Sequence, residues 1–329
     1  MNLDSARELK TLLVKQRPLM ANLRGASATS LSAQSSDRVD PLRHTIALGI
    51  SRKNHQDYRL AVRIQNRALE SSTQVEEITK RAKGEADVRY IGRLVKRSSP
   101  WNQSRQRPLL IGISIAHFRV TAGTLGCFVK TRQSAAVRIL SNNHVLANEN
   151  RSKKGDAIVQ QGPFDGGKKG KNTVGALEKY VRLNRAGTNF VDAALAALKS
   201  GIEYNSVTLR GIGNLKGIGG SVVDVGDEVH KVGRTTDVTH GRVTAFELDN
   251  VVVGYDIGNL RFDDQIEIEG KGLGPFSQGG DSGSLIVDAE NRGVAMLFAG
   301  GDQGGANGQG LTYANPLGRV LDDLKVDLL

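Results

Sequence analysis

The rhythm of apolar positions changes near residue 108. Before it, several stretches space their apolar residues as helices do. Residues 4–15 put Leu9, Leu12 and Leu13 on one side of a short amphipathic helix. Residues 57–69 (DYRLAVRIQNRAL) also have helical periodicity. A second helix is predicted from Thr73, because Thr73 and Glu76 stand at capping-box spacing, and Gly84 is placed to end it. Residues 88–95 (VRYIGRLV) alternate as a strand, with Val88, Tyr90 and Leu94 on one face. Residues 25–36 (GASATSLSAQSS) are small and polar and read as a flexible linker. The expected organisation is an N-terminal helix and linker over 1–40, then a small basic α/β domain over 41–107 that ends in the loop SSPWNQSRQ.

After residue 108 the apolar runs become short and are separated by Gly, Asn and Asp. Strands are predicted at 124–131, 135–142, 156–162, 173–181 and 192–198. After a Gly-rich stretch at 211–220 they resume at 228–233, 241–248, 251–257, 264–270, 283–289 and 293–300. A closing helix is predicted at 314–324. Two groups of about six strands make the fold class mainly β, with two six-stranded antiparallel β-barrels over 108–329.

Charge is unevenly divided. Residues 1–107 hold 21 Lys+Arg against 10 Asp+Glu, whereas residues 108–329 hold 24 of each. The net charge of +11 therefore belongs to the first third. Such a surface suits nucleic acid or acidic lipid, or serves only to solubilise or dock a partner. Cys127 is the single cysteine, so no internal disulfide forms and a reducing compartment is favoured. The first residues lack the unbroken apolar core of a signal peptide, and no run of 18 apolar residues exists. The expectation is a cytoplasmic protein with no membrane span. No CxxC pair, HExxH, calcium loop or phosphate-cradling glycine loop is present, so no metal and no cofactor is expected.

The chemistry is concentrated at GGDSGS, residues 279–284. Its glycines allow a tight turn that exposes Ser282 and gathers backbone N–H groups into one small space. A serine hydroxyl needs a base to take its proton and a third group to orient that base. His144, at the end of an apolar strand in ILSNNHVLA, is the candidate base, and Asp192 in NFVDAALAAL is the candidate orienting acid. The order His144, Asp192, Ser282, with separations of 48 and 90, puts two members in the first strand group and one in the second. Asp156 and Asp165 are rivals for the acid, although Asp165 lies in a Gly/Lys-rich loop that reads as solvated. His44, His55 and His117 have no partner pattern, and Asp281 reads as structural.

Over about 220 residues this region resembles the trypsin-like, chymotrypsin-fold serine peptidases. SNNHVLA is similar to the family's histidine motif, VDAALA to its aspartate motif and GGDSGS to its nucleophile motif. GRTTDVTHGRVTA at 233–245 resembles the GRTTG hairpin of bacterial members such as the streptogrisins and α-lytic protease. A lesser likeness to intracellular Narrow leaf-type trypsin-like proteins rests on RYIGRLVKR, SNNHVLA and GDSGS. The resemblance implies that Ser282 attacks, His144 carries the proton, Asp192 fixes the imidazole, and the N–H groups of Gly280 and Ser282 form the oxyanion hole. Where the secreted members carry cysteines, this chain has Val145, His230 and His240. The two histidines are expected to form a packed cross-strand pair. The residue six before the nucleophile, which lies at the base of the family's specificity pocket, is Phe276. It implies a pocket for small or medium apolar residues, with Ala299 and Gly300 along the wall.

Three functional classes follow. One is a serine endopeptidase acting on protein or peptide substrates and restrained by its N-terminal region, a regulatory protein partner or a homo-oligomer. Another is a peptidase-fold scaffold that binds without cutting. The third is a nucleic-acid-associated protein tethered by the basic first third.

Overall fold

Leu60, Val62 and Ile64 are all fully buried, and their alternation makes Tyr58–Ile64 a strand rather than the helix that the wider spacing predicts. Two of the three are β-branched, which suits a central strand. In this computed structural model, residues 1–16, 46–92, 100–220 and 223–329 are described. The linker expected at 25–36 and the end of the strand expected at 88–95 lie outside the described residues. The chain divides into two compact units, Met1–Ser98 and Ser99–Leu329.

The first unit is a three-stranded sheet. Tyr58–Ile64 pairs antiparallel with Ile46–Arg52, a strand the sequence pattern did not reveal, and parallel with Ala86–Tyr90. The helix Thr73–Arg81 makes the parallel crossover. Its cap is Ser72, one residue before the expected one: Ser72 Oγ accepts from Val75 N at 3.3 Å. The helix Leu3–Gln16 buries Leu13 against this core, while Leu12 faces outward.

The second unit is mainly β. Glu228–Gly233, Asp237–Leu248, Gln265–Gly270, Leu311–Pro316, Gly293–Gly300 and Leu285–Asp288 close, in that order, into a six-stranded barrel. The first strand group forms an eight-stranded sheet that curls into a partial barrel. Its strand at one end, Gly123–Thr124, is only two residues before Cys127–Thr131 near the other end. The edge strand Val326–Leu328 arrives from the barrel by way of helix Leu317–Leu324. That helix is shorter than the one expected at 314–324, because Leu311–Pro316 is a barrel strand. The loop expected to close the N-terminal domain joins the second unit from Ser99. It is held there by Asn102 Nδ2 to Gly233 O at 2.7 Å and Trp101 Nε1 to Asp237 Oδ2 at 3.1 Å.

Candidate active site

Strand pairing carries His144 to Asp192. Ser134–Ser141 and Ala194–Leu198 are antiparallel neighbours, with Ser141 opposite Ala194. The chain reaches His144 three residues after Ser141 and passes Asp192 two residues before Ala194, so both emerge at the same end of the ladder. Asn142 then begins the single helical turn Asn143–Leu146, and its side-chain amide donates to Asp192 O at 2.7 Å. His144 N donates to Asp192 Oδ1 at 3.2 Å, and the two side chains meet at Nδ1 and Oδ2, 2.6 Å apart. Asp192 is fully buried, and the His144 side chain is 22% exposed.

A group absent from the sequence reading completes this contact. Tyr255 OH donates to Asp192 Oδ2 at 2.7 Å, and its ring meets the His144 ring edge-on with centroids 5.9 Å apart. Asn315 Oδ1 accepts from Asp192 N at 2.9 Å. Burial alone would neutralise Asp192, but the His144 charge and the bonds from His144 and Tyr255 hold its carboxyl below the usual range. Burial likewise opposes charge on His144, but the Asp192 charge, its hydrogen bond to the ring and the Glu149 charge together outweigh it, so the imidazole is raised above its ordinary value. Burial and the neighbouring carboxylate push Tyr255 well up, which keeps its hydroxyl proton available to Asp192. Tyr255 lies in Val251–Tyr255, read as a plain strand; its partner is 63 residues away and leaves no local signal.

The turn bearing Ser282 packs against Thr124 and against Ser141, the last residue of the strand that leads to His144. Thr124 N donates to Ser282 O at 2.8 Å, and Thr124 Oγ1 donates to Gly280 O at 2.9 Å. Ser141 Oγ donates to Thr124 O at 2.7 Å. Gly283 has φ +94°, and a Cβ there would stand 2.1 Å from Ser141 Oγ, so only glycine lets the turn seat this close to the strand that leads to His144. The N–H groups of Asp281, Gly283 and Ser284 donate to the carbonyls of Gln278, Leu297 and Asp281. Those of Gly280 and Ser282 have no acceptor among the described residues, and neither does the Ser282 hydroxyl.

Asp281 is the hub of the turn. It accepts from Thr235 N at 2.7 Å, Thr236 N at 3.1 Å, Gln278 N at 2.9 Å and Thr236 Oγ1 at 2.7 Å. Lys231 Nζ lies 3.5 Å away, and both side chains are fully buried. Burial pulls the Lys231 ammonium down from its ordinary value, against the opposing charge of Asp281. A lysine inside the alternating strand EVHKVG was the one available hint of this pair.

Ser282 opens on a cavity of about 580 Å³ shared with Ala299 and Gly300, the two residues expected on the pocket wall. Phe276 is not in it. Its side chain is fully buried in the barrel core with Val229, Val243 and Ile268, and its neighbours Pro275 and Ser277 reach the cavity instead. The walls also carry Gln278, Asp302 and Gln309, so they are polar as well as apolar, unlike the pocket expected from Phe276.

The rival acids have other partners. Asp156 Oδ2 lies 3.3 Å from His117 Nε2, which gives His117 the partner its sequence context did not show. Asp165 is not solvated: its carboxylate is 5% exposed and is held by Arg234 through both oxygens, with Nε to Oδ2 at 2.9 Å. His230 and His240 are opposite one another in the barrel, with Nδ1 atoms 2.6 Å apart and rings edge-on. Among the described residues, no group of three or more His, Cys, Asp or Glu side chains could hold a metal ion.

No family model matches the chain, and no curated protein matches it. Among solved structures, it is similar to Thermobifida fusca Protease A, with a TM-score of 0.47 and 14% identity over 67% of this chain and 98% of that one. It is similar to Cellulomonas bogoriensis chymotrypsin at 0.46 and 17%, over 67% and 98% of the two chains. A glutamic-acid-specific serine protease matches at 0.48 and 20%, over 67% and 100%. The chain is thus similar in structure to bacterial serine proteases of the chymotrypsin fold.

Proposed function

We propose that this chain is a serine endopeptidase that works through Ser282, His144 and Asp192. What supports the reading is an Asp192–His144 pair at the end of the Ser134–Ser141 strand, with Ser141 packed against a glycine turn whose Gly280 and Ser282 N–H groups have no acceptor among the described residues. In this reading His144 Nε2 takes the Ser282 hydroxyl proton as Oγ attacks the scissile carbonyl carbon. The carbonyl π pair moves onto oxygen, and the resulting oxyanion accepts from the two free N–H groups. Removing one such donor costs on the order of 100- to 1000-fold in rate. The ring then gives its proton to the departing amine, leaving an acyl-enzyme. A water deprotonated by the same ring hydrolyses that ester and restores the serine. Asp192 holds Nδ1–H throughout and supports the transient positive ring.

A fluorophosphonate probe, which esterifies only an activated serine, tests the reading on the full chain. The expected result is labelling of the wild type, loss of labelling in Ser282→Ala, and strong loss in His144→Ala. An unlabelled wild type would mean a scaffold that binds without cutting.

A further inference from the structure

Phe164 is 74% exposed, yet its backbone and one face of its ring are both held. Its N–H donates to Thr121 O at 2.9 Å. One face of its ring is covered by the Arg234 guanidinium, 5.2 Å from the centroid. Arg234 is clamped in turn by Asp165, the residue next to Phe164, and Asp165 Oδ2 accepts from Ser114 Oγ at 2.6 Å. An isolated exposed apolar residue needs no explanation. A ring mounted on a nearly buried ion pair, with its other face left to solvent, is a built surface.

Its position relates it to the reacting serine. Arg234 N donates to Thr124 Oγ1 at 3.0 Å, which donates on to Gly280 O. Arg234 Nη1 lies 3.0 Å from where a Gly280 Cβ would stand. The ring is therefore one side chain removed from the turn that carries Gly280 and Ser282. Neither Phe164 nor Arg234 lines the cavity that Ser282 opens on. Gly283 N–H donates to Leu297 O, and Leu297 lines the cavity, whereas a Cβ on Gly283 would stand 2.5 Å from Thr124 O, which does not.

We propose that Phe164, carried on the Asp165–Arg234 pair, is the platform of a leaving-side subsite that takes a large apolar side chain. The residue it binds is one of the first three after the scissile bond. This rests on the hydrolase reading above. A ring already held in place adds contact area at little ordering cost, as aromatic anchors do in interfaces.

The test profiles the full chain on peptides randomised at the three positions after the cleaved bond, alongside a chromogenic amide with the same acyl sequence and no residues beyond that bond. Wild type is expected to favour Leu, Phe or Met at one of the three positions. In Phe164→Ala the ratio of kcat/KM on such a peptide to that on the amide is expected to fall roughly tenfold, the scale of exposing one apolar side chain. Phe164→Tyr keeps the ratio. A wild type that labels with fluorophosphonate but shows no apolar preference there overturns the subsite alone, as does an unchanged ratio in Phe164→Ala. A wild type that does not label overturns the hydrolase reading, and the subsite with it.

Discussion

Asp192 makes its site by being a fully buried carboxylate with three donors: the His144 ring, the His144 backbone and the Tyr255 hydroxyl. Such a group stays charged, and a charged neighbour decides how the imidazole titrates. An ordinary imidazole titrates near ~6.5. Burial would lower His144, but Asp192 and the Glu149 charge together outweigh it and the value is raised. In the proposed mechanism the working base is the neutral ring, so activity is expected to climb as pH rises through that raised value and to be lost below it. The acid limb of kcat/KM is therefore expected above ~6.5. Asp192→Asn removes the charge and leaves burial, so its limb moves down, with a rate loss of about ten-thousandfold. A wild-type limb at or below the ordinary imidazole value would contradict this account. At the same scale, Cys127 is fully buried and its thiol is pushed up to about 12, which fits an inert core group and not a nucleophile.

Elements show where local pattern suffices and where it does not. The strands 228–233 and 293–300 form where their short apolar runs predict, and the second is buried on both faces, with Leu297 in the barrel core and Met296 and Phe298 in neighbouring cores. Tyr58–Ile64 is a strand where the spacing predicts a helix, because a short apolar run fits both periods and only its two flanking strands decide between them. The Ser282 turn is legible for a different reason: Gly280 and Gly283 have φ of +97° and +94°, values that side-chain-bearing residues seldom adopt. Gly283→Ala meets both that strain, roughly 1–3 kcal/mol, and the Ser141 hydroxyl. The expected outcome is a lower urea midpoint together with fluorophosphonate labelling slowed by more than the stability change explains. Equal stability and equal labelling would show that the turn does not need its close seat on Ser141.

Over the whole molecule, the two units have separate cores. Leu13, Ile46, Val62 and Ile78 belong to the first, and every residue of the proposed triad belongs to the second. Ser99–Leu329 expressed alone is therefore expected to fold cooperatively and to be labelled at Ser282. A labelling rate different from that of the full chain would measure the restraint proposed for the N-terminal region. A fragment that neither folds nor labels would show that the second unit depends on the first. The second unit also ties its C-terminus into its first strand group, since Val326, fully buried in Val326–Leu328, brings the chain from the barrel back to Cys127–Thr131.

What the amino-acid order determined by itself was local: the alternation that makes strands, the glycines that permit the Ser282 turn, and the residue types able to move a proton. These depend on neighbours within a few positions, where backbone sterics and burial period act directly. Only the tertiary structure decided which distant groups meet. It gave Asp192 the Tyr255 hydroxyl, Asp281 a buried lysine and Asp165 an arginine, and it turned Phe276 into the core and Phe164 out beside the reacting turn. Partners of that kind are set by sheet register and by the need to match every buried charge, and neither leaves a mark in the spacing of residues along the chain.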